Sequence, residues 1–194
     1  MLSGPTEAVV IGGSAGAIEA LGAILPALSG DAKVPVVVVV HLPSRRASLL
    51  VEIFERRCAL PVREPEDKQP VSPGIWFAPP DYHLLIERTR TFALSVDDPV
   101  RYSRPSIDVL FESAADAFGS GLCAVVLSGA NEDGARGAAS VKHAGGTVLV
   151  QSPESSESAE MPAATLRAAR PALVAAPAAL GQMLRDLTLG IAPS

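Results

Sequence analysis

The sequence predicts an α/β fold: a three-layer, doubly wound and mostly parallel sheet with helices on both faces. Unbroken apolar runs at residues 34–40 and 122–127 are typical of strands buried on both faces of a parallel sheet. Segments with apolar residues at helical spacing alternate with such runs, which is the pattern of βα units. A length of 194 residues suits one sizeable core, so we expect a single domain over residues 1–194.

The first predicted unit is a strand, a tight turn and a helix within residues 8–28. In the turn, Gly12, Ser14 and Gly16 match G-x-S-x-G, a pattern in which glycines allow a sharp reversal and lift one hydroxyl above the sheet edge. A turn of small residues also suits phosphate binding by backbone amides, or close packing of strand and helix alone. The turn by itself leaves these three interpretations open.

The second unit begins with the β-branched run that ends at His41. Helical spacing of apolar residues at 49–54 predicts a second helix, with Arg56 and Arg57 in its last turns. Residues 60–101 contain many prolines and short alternating stretches. They predict short strands, some antiparallel, that are attached to the main sheet.

After residue 103 the sequence again alternates between helical and strand patterns. Apolar spacing predicts a helix from residue 107 to the glycines at 119 and 121, and then a strand at 122–127. The remaining predicted elements are a helix at 135–144, a strand at 147–151, a helix at 158–169, a short strand at 172–175 and a closing helix at 178–189.

Composition excludes several functional classes. A formal net charge of −5 argues against nucleic acid as the main partner, because phosphate binding requires a basic surface. No apolar run approaches the ~20 residues of a membrane span, and the N-terminus lacks a secretory signal. We therefore expect a cytoplasmic protein that is not embedded in a membrane. Cys58 and Cys123 have no C-x-x-C spacing, so we interpret both as reduced thiols.

Residues that directly follow the strands form a candidate site. In an open parallel sheet ligands bind beyond the carboxyl ends of the strands. That edge collects Ser14, His41 and the loop containing Asp133. A histidine can take the proton of a serine hydroxyl, and a carboxylate can fix the imidazole tautomer and stabilise its cation. The predicted chemistry is acyl transfer, and we expect no metal and no other cofactor.

Each of these residues also has a purely structural interpretation. Ser14 can serve as a small turn residue or helix cap, His41 can be satisfied by backbone groups, and Asp133 precedes a helix that a carboxylate would cap. Their common position at one edge favours a site. The turn at Pro79 and Pro80 delivers His83 to the start of a strand, and we expect His83 to be a neighbour of the site.

Six motifs follow one another along the chain, at residues 11–16, 40–43, 78–83, 104–111, 127–137 and 161–162. Their order resembles that of the catalytic domain of the chemotaxis protein-glutamate methylesterase CheB family. The resemblance covers nearly the whole chain, and six ordered motifs are far more specific than G-x-S-x-G alone.

The resemblance implies a wound α/β sheet and the hydrolysis of glutamate methyl esters on a methyl-accepting, receptor-like protein. Deamidation of receptor glutamines is the implied second activity. The family's nucleophile, histidine and aspartate fall on Ser14, His41 and Asp133, and its backbone oxyanion donor falls on the Ala130 amide. The amide of Ala15 is a further oxyanion candidate, and His83 is retained as a candidate neighbour of the substrate.

The chain also departs from the family pattern. Ala15 stands where the chemotaxis enzymes often have threonine, and Ala130 where they often have methionine. Those enzymes carry an N-terminal receiver domain, whereas the first motif here begins near residue 8. We therefore expect a stand-alone domain. Its activity would be controlled by a separate regulatory protein, by the level of expression, or not at all.

Two alternatives come from other functional classes. A dinucleotide-binding module would place Arg45 and Arg46 near a cofactor phosphate, but it calls for an acidic residue after the second strand, where this chain has His41. A non-catalytic relative would bind signalling helices without cleaving them. The leading hypothesis is a serine carboxylesterase.

Overall fold

The structure is a computed structural model that describes residues 5–41 and 48–191. The strands in these residues are Ala8–Gly13 (β1), Pro35–Val40 (β2), Val62–Arg63 (β3), Gly74–Phe77 (β4), His83–Ile86 (β5), Phe92–Ser95 (β6), Leu122–Val126 (β7), Thr147–Gln151 (β8) and Leu173–Ala175 (β9). Seven of these strands are parallel and form the main sheet, in the order β3-β4-β2-β1-β7-β8-β9. A separate antiparallel pair is formed by β5 and β6.

Helices cover both faces of the main sheet. They are Ala17–Ile24 (α1), Leu50–Glu55 (α2), Ile107–Phe118 (α3), Ala135–His143 (α4), Glu160–Ala168 (α5) and Pro177–Thr188 (α6). Successive residues of β1 alternate between two apolar cores, since side chains of a strand point to opposite faces. Val9 packs with α1, α2 and α6, whereas Val10 packs with α3, α4, α5 and the β5–β6 hairpin.

The predicted three-layer wound fold is confirmed, and the observed elements match the predicted ones to within a few residues. One prediction about the middle of the chain needs correction. The β5–β6 hairpin is not hydrogen-bonded to the main sheet but packs against α3 through Leu84, Ile86 and Phe92. In addition, α2 ends at Glu55, so Arg56 and Arg57 follow that helix instead of lying in its last turns.

The order of the strands brings three chain segments to one edge. Strand β1 lies between β2 and β7, and Gly13 is in register with Val40 while Gly12 is in register with Val126. The pairing continues past the strand ends, because His41 N donates to Gly13 O at 3.1 Å and Ser14 N donates to Ser128 O at 2.9 Å. Adjacent parallel strands lie about 4.8 Å apart, so the residues that follow them are close neighbours.

Two findings concern expectations outside this edge. Within residues 5–41 and 48–191, no helix is long and apolar enough to cross a membrane. Arg45 and Arg46, which the dinucleotide alternative would place beside a phosphate, lie outside the described residues, as do Leu42 and Pro43 of the second motif.

Candidate active site

The turn after β1 requires small residues, because it has little space for side chains and one of its residues has a positive φ. A Cβ atom on Gly12 would collide with the side chain of Ile107 at the start of α3. Gly16 has a φ of 79°, in the left-handed region that glycine tolerates best, and it directly precedes α1. Ser14 is half-buried in this turn, and its carbonyl accepts from Ala17 N at 3.0 Å. The predicted strand, sharp turn and helix are therefore all present.

His41 and Asp133 are hydrogen-bonded to each other. The distance from His41 Nε2 to Asp133 Oδ2 is 2.8 Å, although 92 residues separate the two in sequence. The Asp133 side chain is fully buried, and only 10% of the His41 side chain is exposed. An ionised carboxylate can only accept, so Nε2 carries the proton and Nδ1 is the unprotonated nitrogen.

The carboxylate of Asp133 is held by four donors, two on each oxygen. Oδ1 accepts from Ser106 Oγ at 2.9 Å and from Asp108 N at 3.0 Å, and Oδ2 accepts from Ile107 N at 2.7 Å in addition to His41. Three of the four donors belong to the start of α3, where unpaired amides and the helix dipole favour an anion. This helix start fixes the orientation of the carboxylate.

The pKa of Asp133 reflects its burial and its hydrogen bonds. Burial acts to raise its pKa, but the bonds from His41 and from the amides of Asp108 and Ile107 act in the other direction and together lower the pKa below its ordinary value. Asp133 is therefore a carboxylate at neutral pH.

Asp108 binds the start of α4 in the same way as Asp133 binds the start of α3. Its Oδ1 accepts from Gly134 N at 2.9 Å and from Gly137 N at 2.7 Å, at the start of the helix that follows Asp133. Burial raises the pKa of Asp108, and the nearby Asp133 carboxylate acts in the same direction. Each of the two helix starts is thus capped by an aspartate from the neighbouring segment.

His83 is buried, and both of its ring nitrogens are used inside the protein. Nδ1 accepts from Ser106 N at 3.1 Å, and Nε2 lies 3.1 Å from the carbonyl of Asp98. The ring therefore connects the 97–105 loop to the residue that caps α3. His83 is linked to Asp133 through Ser106, whose hydroxyl donates to Asp133 Oδ1, and both of its ring nitrogens are occupied by these contacts inside the protein.

A pocket of about 330 Å³ opens beside His41. The 97–105 loop supplies most of its wall, and Ser103 Oγ makes a long contact of 3.5 Å with His41 Nδ1. The residues that line this pocket are His41, Asp81, Pro99, Tyr102, Ser103, Arg104 and Pro105. The pocket thus adjoins the side of the imidazole that Asp133 does not occupy.

The two predicted oxyanion donors lie on segments that flank Ser14. Ala15 follows Ser14 in the turn, and Ala130 lies in the loop after β7; both residues are exposed. Within residues 5–41 and 48–191, the amide of neither alanine donates a hydrogen bond to the protein. Both N–H groups therefore remain candidates for binding an anion.

Sequence reasoning passed over several residues of this site. Ser106 and Asp108 bind Asp133 and its helix, Ser103 approaches His41, and Ser128 contacts the Ser14 turn. Ser106 could have been found as a serine directly before an apolar helical pattern, which is the usual N-cap signal. Ser128 also lies just beyond a buried strand, two residues after the end of β7, so the rule that selected Ser14 could have drawn attention to it.

The fold and the site together define a class of protein, the wound α/β proteins that present a serine, a histidine and a buried aspartate at the carboxyl edge of a parallel sheet. Residues 9–184 match the CheB methylesterase family. The chain belongs to this family, whose members are hydrolases that act on methyl esters.

Individual relatives agree with that assignment. A Leptospira interrogans protein, whose name provisionally assigns protein-glutamate methylesterase and protein-glutamine glutaminase activity, is 44% identical over 163 residues, 84% of each chain. A Rhodospirillum rubrum protein named for the same two activities is 36% identical over 82% of this chain, which spans 43% of that protein. The crystal structure of the Thermotoga maritima CheB methylesterase catalytic domain matches with a TM-score of 0.90 and 31% identity, over 95% of this chain and 100% of that one.

Proposed function

We propose that this chain hydrolyses glutamate methyl esters on a methyl-accepting, receptor-like signalling protein, with Ser14 as nucleophile, His41 as base and Asp133 as the supporting acid. We further propose that the same site hydrolyses glutamine side-chain amides. The observation that carries the proposal is the 2.8 Å bond between His41 and the buried Asp133, at the sheet edge where Ser14 follows the neighbouring strand.

Asp133 determines which histidine nitrogen reacts. Because Nε2–H donates to Asp133, Nδ1 is the base that takes the proton from the Ser14 hydroxyl. As the Ser14 oxygen bonds to the ester carbonyl carbon, the carbonyl oxygen becomes an oxyanion. The amides of Ala15 and Ala130 lie on the two segments that flank the nucleophile and would stabilise that oxyanion.

The tetrahedral intermediate collapses when the C–O bond to the methoxy group breaks. The Nδ1–H of His41 supplies the proton that converts the leaving methoxide to methanol, and the glutamyl group remains on Ser14 as an ester. Water then attacks this ester, again with Nδ1 as base, and releases glutamate and the free serine. With a glutamine substrate the same sequence releases ammonia in place of methanol.

The relatives' names support both activities, since they combine protein-glutamate methylesterase with protein-glutamine glutaminase. The pocket beside His41 would receive the side chain that is hydrolysed, because it adjoins the unprotonated Nδ1. We propose the cytoplasm as the compartment, in agreement with Cys58 and Cys123, which are both free thiols.

The test is a mass-spectrometric assay for loss of methyl groups from methylated receptor fragments, combined with labelling by a serine-reactive phosphonate. We expect the parent to remove methyl groups and to be labelled on Ser14. Ser14→Ala should lose about 10⁴–10⁶-fold in rate, the range measured when a serine nucleophile is removed. The matched control is Ser120→Ala, an exposed serine before β7, which should keep the parental rate.

Two results would contradict the proposal. If Ser14→Ala removed methyl groups at the parental rate, Ser14 could not be the nucleophile. A parent that binds methylated fragments without demethylating them, and that resists the phosphonate, would instead indicate a non-catalytic relative.

A further inference from the structure

Ser128 lies where three chain segments meet, and the mechanism proposed above does not use it. It is the second residue after β7 and is fully buried. Its backbone N–H donates to Gln151 Oε1 at 2.9 Å, and its carbonyl accepts from Ser14 N at 2.9 Å. These two bonds use backbone atoms of Ser128 and would persist if its side chain were changed.

The hydroxyl of Ser128 makes contacts of a different kind. It donates to the carbonyl of Ala15 at 2.6 Å and accepts from Ser158 N at 2.9 Å; it also lies 3.2 Å from Ser158 O. The first contact crosses 113 residues of sequence to reach the residue next to the nucleophile. One side chain therefore joins the Ser14 turn, the end of β7 and the 152–159 loop.

The position of this hydroxyl matters because it adds a side-chain restraint to a turn that is otherwise held by backbone hydrogen bonds, from Ser14 N to Ser128 O and from Ala17 N to Ser14 O. Gly16 follows Ala15 in the left-handed conformation, and glycine resists rotation less than any other residue. The bond to the Ala15 carbonyl holds the peptide between Ala15 and Gly16 in one orientation. Ser128 also precedes Ala130 by two residues, so this hydrogen bond and the backbone bond from Ser14 N to Ser128 O both join the two segments that carry the candidate oxyanion donors.

We infer that Ser128 is a positioning residue, whose hydroxyl holds the Ser14 turn against the Ala130 loop and so aligns the nucleophile with the oxyanion donors. The inference rests on the proposed function, because it assigns Ser128 a role in that reaction. Ser128 is fully buried, and its hydroxyl is bonded to Ala15 and Ser158, so it acts through Ala15 and not through substrate contact.

The experiment compares the parent with Ser128→Ala and Ser128→Thr on a synthetic peptide that contains a glutamate methyl ester. Misplacing a reacting group by about 1 Å can cost about 100-fold in rate, so we expect kcat of Ser128→Ala to fall about 10- to 100-fold. KM should stay near the parental value, and the rate of phosphonate labelling at Ser14 should fall in parallel with kcat. Ser128→Thr keeps the hydroxyl and should lie much closer to the parent.

A matched control separates positioning from a general loss of packing. The Ser113 hydroxyl also accepts from a backbone amide, that of Ile86, and donates to a backbone carbonyl, that of Val109, but it lies on α3 away from the turn. Ser113→Ala should keep the parental kcat and labelling rate.

The outcomes distinguish this inference from the proposed function. An active parent with an equally active Ser128→Ala would overturn the role of Ser128 alone, and so would a folded Ser128→Thr that is as slow as Ser128→Ala. A parent that hydrolyses no ester and resists the phosphonate would overturn the proposed function, and the role of Ser128 with it.

Discussion

Replacing Asp133 by asparagine exchanges one carboxylate oxygen for an amide nitrogen inside a cradle of donors. The two oxygens accept from Ser106 Oγ, from the backbone amides of Ile107 and Asp108, and from His41 Nε2. The NH₂ group of the new side chain must therefore face two of these donors, whichever way the amide is turned.

The two orientations have different consequences. With the nitrogen at the Oδ1 position, the Ser106 hydroxyl can rotate to accept, and only the Asp108 N–H loses its partner. With the nitrogen at the Oδ2 position, the Ile107 N–H loses its partner and His41 must move its proton to Nδ1 to accept at Nε2. The first is cheaper: one orphaned buried N–H costs about 1–3 kcal/mol, which is the expected loss in the free energy of unfolding.

The effect on the reaction is larger than the effect on stability. In either orientation the negative charge that stabilises the His41 imidazolium is lost, and in the second the base nitrogen is already protonated. By analogy with the same substitution in a serine protease, kcat should fall about 10³–10⁴-fold. The assays are methanol release from a glutamate methyl ester peptide and unfolding in urea.

Asp116→Asn is the control for this experiment, because Asp116 is an exposed aspartate on α3 that lies away from the cradle. Its change in the free energy of unfolding should be within about 0.5 kcal/mol, the usual range for surface substitutions. A folded Asp133→Asn variant with kcat within about tenfold of the parent would refute the role of the carboxylate and the tautomer assignment derived from it.

Three further predictions follow from the same contacts. In urea unfolding, the parent should exceed Asp133→Asn in free energy of unfolding by its full amount above about pH 4, and the difference should shrink below that pH. The reason is that the pKa of Asp133 in the folded protein lies below the unfolded value near 3.9. A constant difference down to about pH 2 would contradict the lowered pKa. Gly12→Ala, whose Cβ would collide with Ile107, should destabilise the protein by about 1–3 kcal/mol, whereas Gly30→Ala, which has only ordinary contacts, should cost less. Burial raises the pKa of the Cys123 thiol to about 12, so iodoacetamide should modify it only on unfolding, and mass spectrometry of the native protein after treatment checks this.

Much of the fold could be predicted from the sequence because its strands and helices have strong, different periodicities. The predicted strand at 147–151 matches β8 residue for residue, and the helix predicted from residue 107 to the glycines at 119 and 121 corresponds to α3. The pairing of β5 could not be predicted in the same way. A four-residue alternating stretch indicates a strand, but its hydrogen-bonding partner depends on how the hairpin packs on α3.

The candidate site could be predicted in part, and for a geometric reason. Parallel strands end at one edge, so chain order alone brings the segments of Ser14, His41 and Asp133 to the same side of the sheet. The hydrogen bonds that orient those segments are not visible in the sequence. Ser128 and Ser106 act on residues 113 and 27 positions away, and no local pattern encodes such partners. The roles of the three residues stay predictions until the variants are assayed.

The two buried aspartates explain how the fold can hold one carboxylate so firmly. Asp133 caps α3 while Asp108 caps α4, so each helix start is positioned by a residue that the other segment supplies. The unfavourable part of this exchange falls on Asp108, whose pKa is raised and whose Oδ2 accepts no hydrogen bond among the residues described. The Nε atoms of Arg101 and Arg136, both at 3.7 Å, offset the charge at that oxygen. Asp133, with four donors and a lowered pKa, is the stable anion beside His41. The electrostatic cost of placing two carboxylates close together falls on Asp108, whose side chain has no role in the proposed reaction.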